Sequence, residues 1–305
     1  MVESSAAPVT ATPSGGTNTL RGVAFMVATT VIFAAQDGLS KALAENHSAI
    51  FVTMWRYWAF GAVCLFLLWR KGFRAGLTSG QPRLQIIRGV LLALEICVAI
   101  SAFALLGLAP SHAIFAFMPL LVVALSGPVL GEKVGWRRWT AVGVGLIGML
   151  LIIRPGTRAI TPEIGVAILA MVMFAAYQLM TRKAARTDAA MTSFYYTGLF
   201  GALTMTLIGP WFWSSMTAGE AAMMAILCVS GMTGHYLLIK AFEAAEASAI
   251  QPFTYLQTVL ASAIGVAVFG EVVSPWTILG GAIVIGAGLF AFWRERVRAK
   301  APQAL

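Results

Sequence analysis

Charge is what this sequence has least of. Only 11% of its 305 residues are Asp, Glu, Lys or Arg, against 59% hydrophobic ones, whereas a soluble globular domain carries about 25% charged residues. That shortage excludes a water-soluble enzyme or binding module as the body of the chain. Cysteine is scarce too. Cys64, Cys97 and Cys228 are the three present, each inside an apolar run, so they read as small core residues and supply no disulfide framework. His47, His112 and His235 are far apart, with no Cys near any of them. With no phosphate-binding loop and no nucleophile triad either, nothing in the sequence supports a metal, a cofactor or catalysis.

What is present is length in apolar runs. Ten stretches, at roughly 21–42, 48–69, 85–108, 112–130, 137–154, 163–182, 189–209, 220–241, 247–269 and 275–293, are each long enough to cross a ~30 Å hydrocarbon layer as a helix. The fold class is therefore all-α integral membrane with ten transmembrane helices. The net charge of +9 is weak evidence for a nucleic-acid partner, because placement decides. With the N-terminus in the cytoplasm, 17 of the 21 Lys and Arg fall inside. They are Arg21; Arg70, Lys71, Arg74, Arg83 and Arg88; Lys133, Arg137 and Arg138; Arg182, Lys183 and Arg186; Lys240; and Arg294, Arg296, Arg298 and Lys300. The outside holds Lys41, Arg154 and Arg158, and Arg56 lies within a helix. The expectation is a multi-pass protein of the inner membrane with both termini cytoplasmic. A cleavable signal peptide, with Arg21 as its charged start and a cut near Phe33-Ala34-Ala35, is the alternative for the first run; it would leave nine and lose the asymmetry.

The chain repeats itself. Gly131-Glu132 and Gly270-Glu271, 139 residues apart, each close an apolar run, and each is followed by another run opened by Trp. Five runs per half force the second half to enter the membrane with opposite polarity, as in inverted-repeat transporters. The organisation expected is a disordered cytoplasmic tail at 1–19, a first repeat at 20–155, a second at 163–297 and a cytoplasmic tail at 298–305. An outside link, Arg154-Pro155-Gly156-Thr157-Arg158, joins the halves; the longest loop, Lys71 to Pro82, is cytoplasmic and basic. Trp69, Trp136, Trp139, Trp211, Trp213, Trp276 and Trp293 sit at helix ends as interfacial anchors. Glu132 and Glu271 read as caps at the start of the next helix. Glycines 143, 145, 148, 280, 281, 286 and 288 read as close-contact positions of each repeat's fifth helix.

Several fragments, in order, resemble one family. They are Asp37-Gly38-Leu39-Ser40-Lys41, Arg56, Phe103-Ala104-Leu105 with Ala109, Pro119 and Gly131-Glu132; then Pro252-Phe253-Thr254-Tyr255-Leu256-Gln257, Gly270-Glu271, Gly280-Gly281, Gly288-Leu289 and Trp293-Arg294-Glu295-Arg296. From residue 20 onward the chain is similar to the drug/metabolite transporter superfamily, in its ten-helix EamA-type bacterial branch. What that resemblance implies is a proton- or gradient-driven exporter of small metabolites, typically amino acids. Within the superfamily it resembles the aromatic and neutral amino-acid exporters called YddG, and carriers of threonine/homoserine, riboflavin and S-adenosylmethionine. Two places depart from the pattern. Ile32-Phe33-Ala34-Ala35-Gln36 lacks the family's frequent Trp, and Thr258 replaces the Pro that Pro119 matches in the other repeat.

Charge inside hydrocarbon costs about 2.5–3.5 kcal/mol on insertion scales, so each such residue needs a partner, water or a function. Arg56 and Asp37 fall about 4–5 and 7–8 Å to the outside of the midplane. They either pair and lock the first two helices together, or they act in transport, with Arg56 binding a substrate carboxylate or Asp37 exchanging a proton. Glu95 has no Lys or Arg within a turn, and His235 falls at a similar depth on the repeat-related helix. These two are the candidates for proton coupling, with plain core burial as the alternative. Pro119, Gly127-Pro128 and Gln251-Pro252 interrupt the fourth and ninth helices, which makes those the expected cavity walls. Near the breaks lie Phe115, Phe117 and Met118, and Tyr255 and Gln257, while Tyr177 and Gln178 add another aromatic-amide pair. These are expected either to line a small amphiphile's site or to pack.

The reading that follows is a secondary-active exporter of amino acids, aromatic or otherwise neutral, working as a monomer in the lipid bilayer by alternating access, with no nucleic-acid partner. Its first rival is the same fold carrying a larger metabolite such as riboflavin, S-adenosylmethionine or a nucleoside derivative. A membrane enzyme or receptor is the second, disfavoured by short loops without a clustered acid, base and nucleophile.

Overall fold

The computed structural model describes residues 18–132, 135–154 and 161–300, with side chains as far as Trp293. The expectations for the N-terminal tail, Lys133, the Pro155–Arg158 link, the four terminal basic side chains and residues 301–305 lie outside the described residues.

Helices follow one another with short connections: α1 (Thr19–Ala44), α2 (Ala49–Lys71), α3 (Phe73–Leu77), α4 (Pro82–Leu106), α5 (Leu108–Phe115), α6 (Met118–Leu130), α7 (Trp136–Ile153), α8 (Pro162–Ala184), α9 (Ala190–Ile208), α10 (Ala218–Ala244), α11 (Ala247–Ile250), α12 (Tyr255–Phe269) and α13 (Pro275–Lys300). Starts carry recognisable signals. Asn18 and Ser48 accept the amides of Arg21 and Phe51, Thr217 and Glu220 form a capping box, and Pro82 and Pro162 stand in first turns where no amide is needed. Among the described residues nine spans are long and apolar enough to cross a membrane. The remaining long helix, α9, has 19 residues but carries Thr192, Ser193, Tyr195, Tyr196 and Thr197, which face inward.

The ten expected helices are present, with local differences. Lys71 to Pro82 is not bare loop, since α3 forms within it and seats Gly76 against Leu68 and Tyr195. The fourth run starts at Leu108, not at 112. Gly107, at φ +101°, makes the turn, and Pro110 falls in the first turn of α5, where its ring meets no earlier carbonyl. That run then breaks at Ala116-Phe117. The ninth breaks at Gln251–Thr254, a single 3₁₀ turn holding Pro252, so both halves are interrupted despite Thr258.

Packing maps onto itself when the halves are exchanged. The first helix packs on the eighth (α1 on α10) and the sixth on the third (α8 on α4), while α2 packs on α9 and α7 on α13. At the last crossing a Cβ on Gly148 would stand 2.7 Å from the Gly280 carbonyl oxygen, so only glycine lets the backbones meet. Gly143, Gly281 and Gly286 face nothing within 4 Å and are not contact positions. All seven end-of-helix tryptophans are exposed on the outer surface, as interfacial anchors are.

The Gly-Glu corners cap, but not where expected. Gly131 and Gly270 adopt left-handed φ values of 70° and 64°, which favour glycine and end the helix. The turn throws Glu271 away from α13 and onto the start of α5, where it accepts the amides of Leu108 and Ala109 at 2.7 Å each and pairs with Lys41. Burial alone would raise the Glu271 carboxyl. Lys41 and the two amides outweigh that and hold it below the ordinary carboxylate value. Glu132 instead stands 3.9 Å from Arg182 Nε, with neither carboxylate oxygen hydrogen-bonded.

Candidate functional site

The middle of the bundle is not filled. A cavity of about 50 Å³ lies among α1, α2, α4, α5, α8, α10 and α12. Its polar wall is Gln36, Asp37, Ser40, Arg56, Glu95, His235 and Gln257, and its rings are Phe33, Phe103, Phe115 and Phe174.

Arg56 rises from α2 and is 7% exposed. Its guanidinium gives one hydrogen bond, to Gln36 Oε1 at 3.2 Å. Gly231 of α10 passes so close that a Cβ there would lie 3.2 Å from the Arg56 Nη2. Asp37 is held differently. Gln257 Nε2 donates to its Oδ2 at 2.8 Å, and His112 Nε2 stands 3.2 Å from the same oxygen. The expected Asp37–Arg56 lock is therefore absent. Neighbouring positions on a helix point about 100° apart, so Gln36 faces Arg56 while Asp37 faces α5 and α12.

Glu95 and His235 both line the cavity, as their depth suggested. Among the described residues Glu95 makes no hydrogen bond or ion pair, although its company is charged rather than wholly apolar. Neither ring nitrogen of His235 has a partner; its ring lies 4.9 Å from Phe33 and edge-on to Tyr177 at 6.1 Å.

The remaining candidates go elsewhere. Tyr177 accepts a hydrogen bond from Arg88 Nη1 at 3.2 Å. Gln178 accepts from Gln251 Nε2 at 2.5 Å and donates towards Met118 Sδ at 3.3 Å. Tyr255 lines a second cavity, of about 20 Å³, with Pro119, Leu120, Ser248, Gln251 and Pro252, and its hydroxyl is buried without a partner. The breaks of the fourth and ninth helices thus line this second cavity, whereas the first and third helices dominate the charged one.

His112 was missed as a site residue. Starting its helix at 112 placed it at the outer mouth; the true start at Leu108 sinks it a turn deeper, 2% exposed and stacked on Phe103 with ring centres 5.5 Å apart. The signal was Gly107, a better helix breaker than a first-turn proline. Arg88 was counted as an inside charge. It is wholly buried, hydrogen-bonded to Gln85, Tyr177, Thr181 and the Ser193 carbonyl.

The EamA-like transporter family matches twice, over residues 20–154 and 161–293. The chain belongs to that family. It is accordingly a multi-pass membrane transporter of the drug/metabolite transporter superfamily. Similar curated proteins include an S-adenosylmethionine uptake transporter of Rickettsia prowazekii, 25% identical over 277 residues, 91% of this chain and 94% of the relative. A riboflavin transporter of Rhizobium johnstonii is 26% identical over 257 residues, 81% and 82% of the two chains. The pseudopaline exporter CntI of Pseudomonas aeruginosa is 25% identical over 268 residues, 87% and 94%. A crystal structure superposes with a TM-score of 0.65 at 18% identity, covering 92% of this chain and 99% of its own, which speaks for the fold alone.

The two family matches also set a register: their starts are 141 residues apart, and the later Gly-Glu corners 139 apart. Phe33 and Phe174 share that register and touch, 6.3 Å between ring centres. So do the ion pairs Lys41–Glu271 and Arg182–Glu132, the second a looser one at 3.9 Å.

Proposed function

We propose that this transporter carries a zwitterionic metabolite larger than a free amino acid, of the S-adenosylmethionine type, across the inner membrane. Two inverted halves, 20–155 and 163–297, alternate access to the cavity, and both termini are cytoplasmic. The observation that carries the substrate class is the charge count of the cavity: one cation, Arg56, faces two acids, Asp37 and Glu95. A solute with one carboxylate and two cationic centres complements that set, and S-adenosylmethionine, with a carboxylate, an ammonium and a sulfonium, is such a solute. A neutral amino acid leaves one acid without a partner, and uncharged riboflavin offers none of the three groups an opposite charge. The four phenylalanines give a flat base an apolar slot.

In this reading Arg56 takes the carboxylate, Asp37 and Glu95 take the cationic centres, and Phe115 and Gln257 shape the slot. Glu95 and His235 keep their coupling role as proposed proton acceptors. His235 has no hydrogen bond to lose, and Glu95 makes none among the described residues, so a proton there changes the charge facing Arg56 without breaking packing. Tyr255 is proposed to meet solute on the second cavity's side, while Met118, Tyr177 and Gln178 act through the contacts that hold that wall. The test is counterflow in liposomes loaded with unlabelled S-adenosylmethionine. Uptake of the labelled compound, undiminished by external riboflavin, is expected. Exchange of phenylalanine or leucine but not of S-adenosylmethionine would return the reading to amino acids, and no solute flux at all would sink both.

A further inference from the structure

Two residues of the charged wall, Asp37 and Gln257, and His112 behind them have counterparts in the other half. In the shared register Asp37 matches Gln178, His112 matches Gln251 and Gln257 matches Met118. The contacts match as well. His112 stands 3.2 Å from Asp37 as Gln251 stands 2.5 Å from Gln178, and Gln257 meets Asp37 at 2.8 Å as Met118 meets Gln178 at 3.3 Å. One junction of three helices is thus built twice, once with an acid and an imidazole and once with groups that cannot titrate. Packing does not require the ionisable version, since the neutral one fills the same place. Architectural charges behave in the opposite way, because the Lys41–Glu271 pair recurs as Arg182–Glu132.

We propose that Asp37 and His112 form a proton site: the Asp37 carboxylate holds either the His112 imidazolium or the substrate's cationic group, so that loading substrate releases one proton. The inference rests on the transport reading of this cavity and adds where substrate and proton compete. Asp37 lines the cavity, and His112 stands behind it between Phe103 and Phe115, screened from the solute's path. When the substrate's cation reaches Asp37, it becomes a second positive charge beside the imidazolium, and like charges at that range disfavour one another. The Nε2 proton then leaves to water, the imidazole becomes neutral, and the carboxylate keeps one cationic partner throughout. The charged and titratable groups facing this pair are few. They are Lys41 on α1, already engaged with Glu271; Arg56 on α2; Glu95 on α4; and His235 on α10, while α12 presents uncharged Gln257 and α8 presents Phe174.

The direct test adds S-adenosylmethionine to the purified protein in weak buffer near pH 6.5 with a pH-sensitive dye. Release of up to one proton per molecule bound is expected, and no release overturns the proposal. Affinity for S-adenosylmethionine is expected to weaken about tenfold from pH 7.5 to 5.5 in the wild type, and by clearly less in His112→Gln, which gives this half the other half's amide and leaves Glu95 and His235 to carry what remains. An unchanged pH ratio in His112→Gln, or its loss in Glu95→Gln alone, places the proton elsewhere and overturns the proposal. A substrate-free measurement separates this inference from the choice of solute. In nitrogen-15 histidine spectra at fixed pH the His112 ring signals are expected to change in Asp37→Asn. Unchanged signals overturn the pair even if S-adenosylmethionine binds, and changed ones uphold it even if S-adenosylmethionine proves the wrong cargo.

Discussion

Two arginines lie wholly inside the helix bundle, and they are held in opposite ways. Arg88 gives its donors to Gln85, Tyr177, Thr181 and the Ser193 carbonyl, tying α4 to α8 and α9. Arg56 gives one bond, to Gln36, and otherwise faces a cavity. A guanidinium carries five N–H donors, so Arg88 is close to saturated and Arg56 is not. Intramembrane charge is tolerated where it has partners or a task. The saturated arginine is a tie between helices; the unsaturated one has donors to offer a carboxylate. Composition cannot make that distinction, because both residues are single basic positions in apolar runs.

Exchanging the fates of the two should break the comparison most visibly. Arg88→Leu strands several buried acceptors and is expected to lower unfolding stability by about 3 kcal/mol, measured by denaturant titration in micelles. Arg56→Gln is expected to change stability by less than about 1 kcal/mol, since the side chain has one protein bond to lose. It should cut counterflow of S-adenosylmethionine about 100-fold, the loss of a charge-assisted contact to the carboxylate. If Arg56→Gln unfolds the protein while Arg88→Leu leaves it intact, the assignment of tie and ligand is reversed.

Glu95 sharpens the same comparison at a smaller scale. Glu95→Gln removes one acid from a wall that has two, and the expected result is about tenfold weaker binding of S-adenosylmethionine with little change for a neutral amino acid, read by competition. Equal losses for both solutes would mean that Glu95 acts through the cavity's shape and not its charge.

Much of this was legible along the chain. Helix positions followed from the lengths of apolar runs, and the depths of Glu95 and His235, counted at 1.5 Å per residue, brought them to one cavity. What escaped was what depends on direction and distance in the fold. Arg88 was counted only as a cytoplasmic-side charge because Tyr177, Thr181 and Ser193, which hold it, are remote in sequence. Asp37 and Arg56 have the right depth to pair, yet adjacent positions on α1 point apart, and Gln36 took the arginine. His112 was misplaced by a four-residue error in a helix start, which in a membrane helix moves a side chain by about 6 Å.

The Gly-Glu corners offer the smallest and cleanest contrast, because sequence makes them equal and structure does not. Glu271 holds two amides and Lys41, whereas the Glu132 oxygens have no hydrogen bond and meet Arg182 only at 3.9 Å. Glu271→Gln keeps a single acceptor for three donors and is expected to lower stability by about 1–2 kcal/mol, while Glu132→Gln stays within about 0.5 kcal/mol, both by denaturant titration. Acid should act on the same corner. The Glu271 carboxyl is held below its ordinary value in the fold, so its contribution is complete above about pH 4.3, the unfolded value, and is lost as pH falls through the lower folded one. Melting temperatures from pH 7 to pH 3 should therefore fall more steeply below pH 4 in the wild type than in Glu271→Gln, and equally in the wild type and Glu132→Gln. Parallel curves for all three would show that Glu271 titrates as a surface carboxylate does, and that its three contacts do not hold the corner.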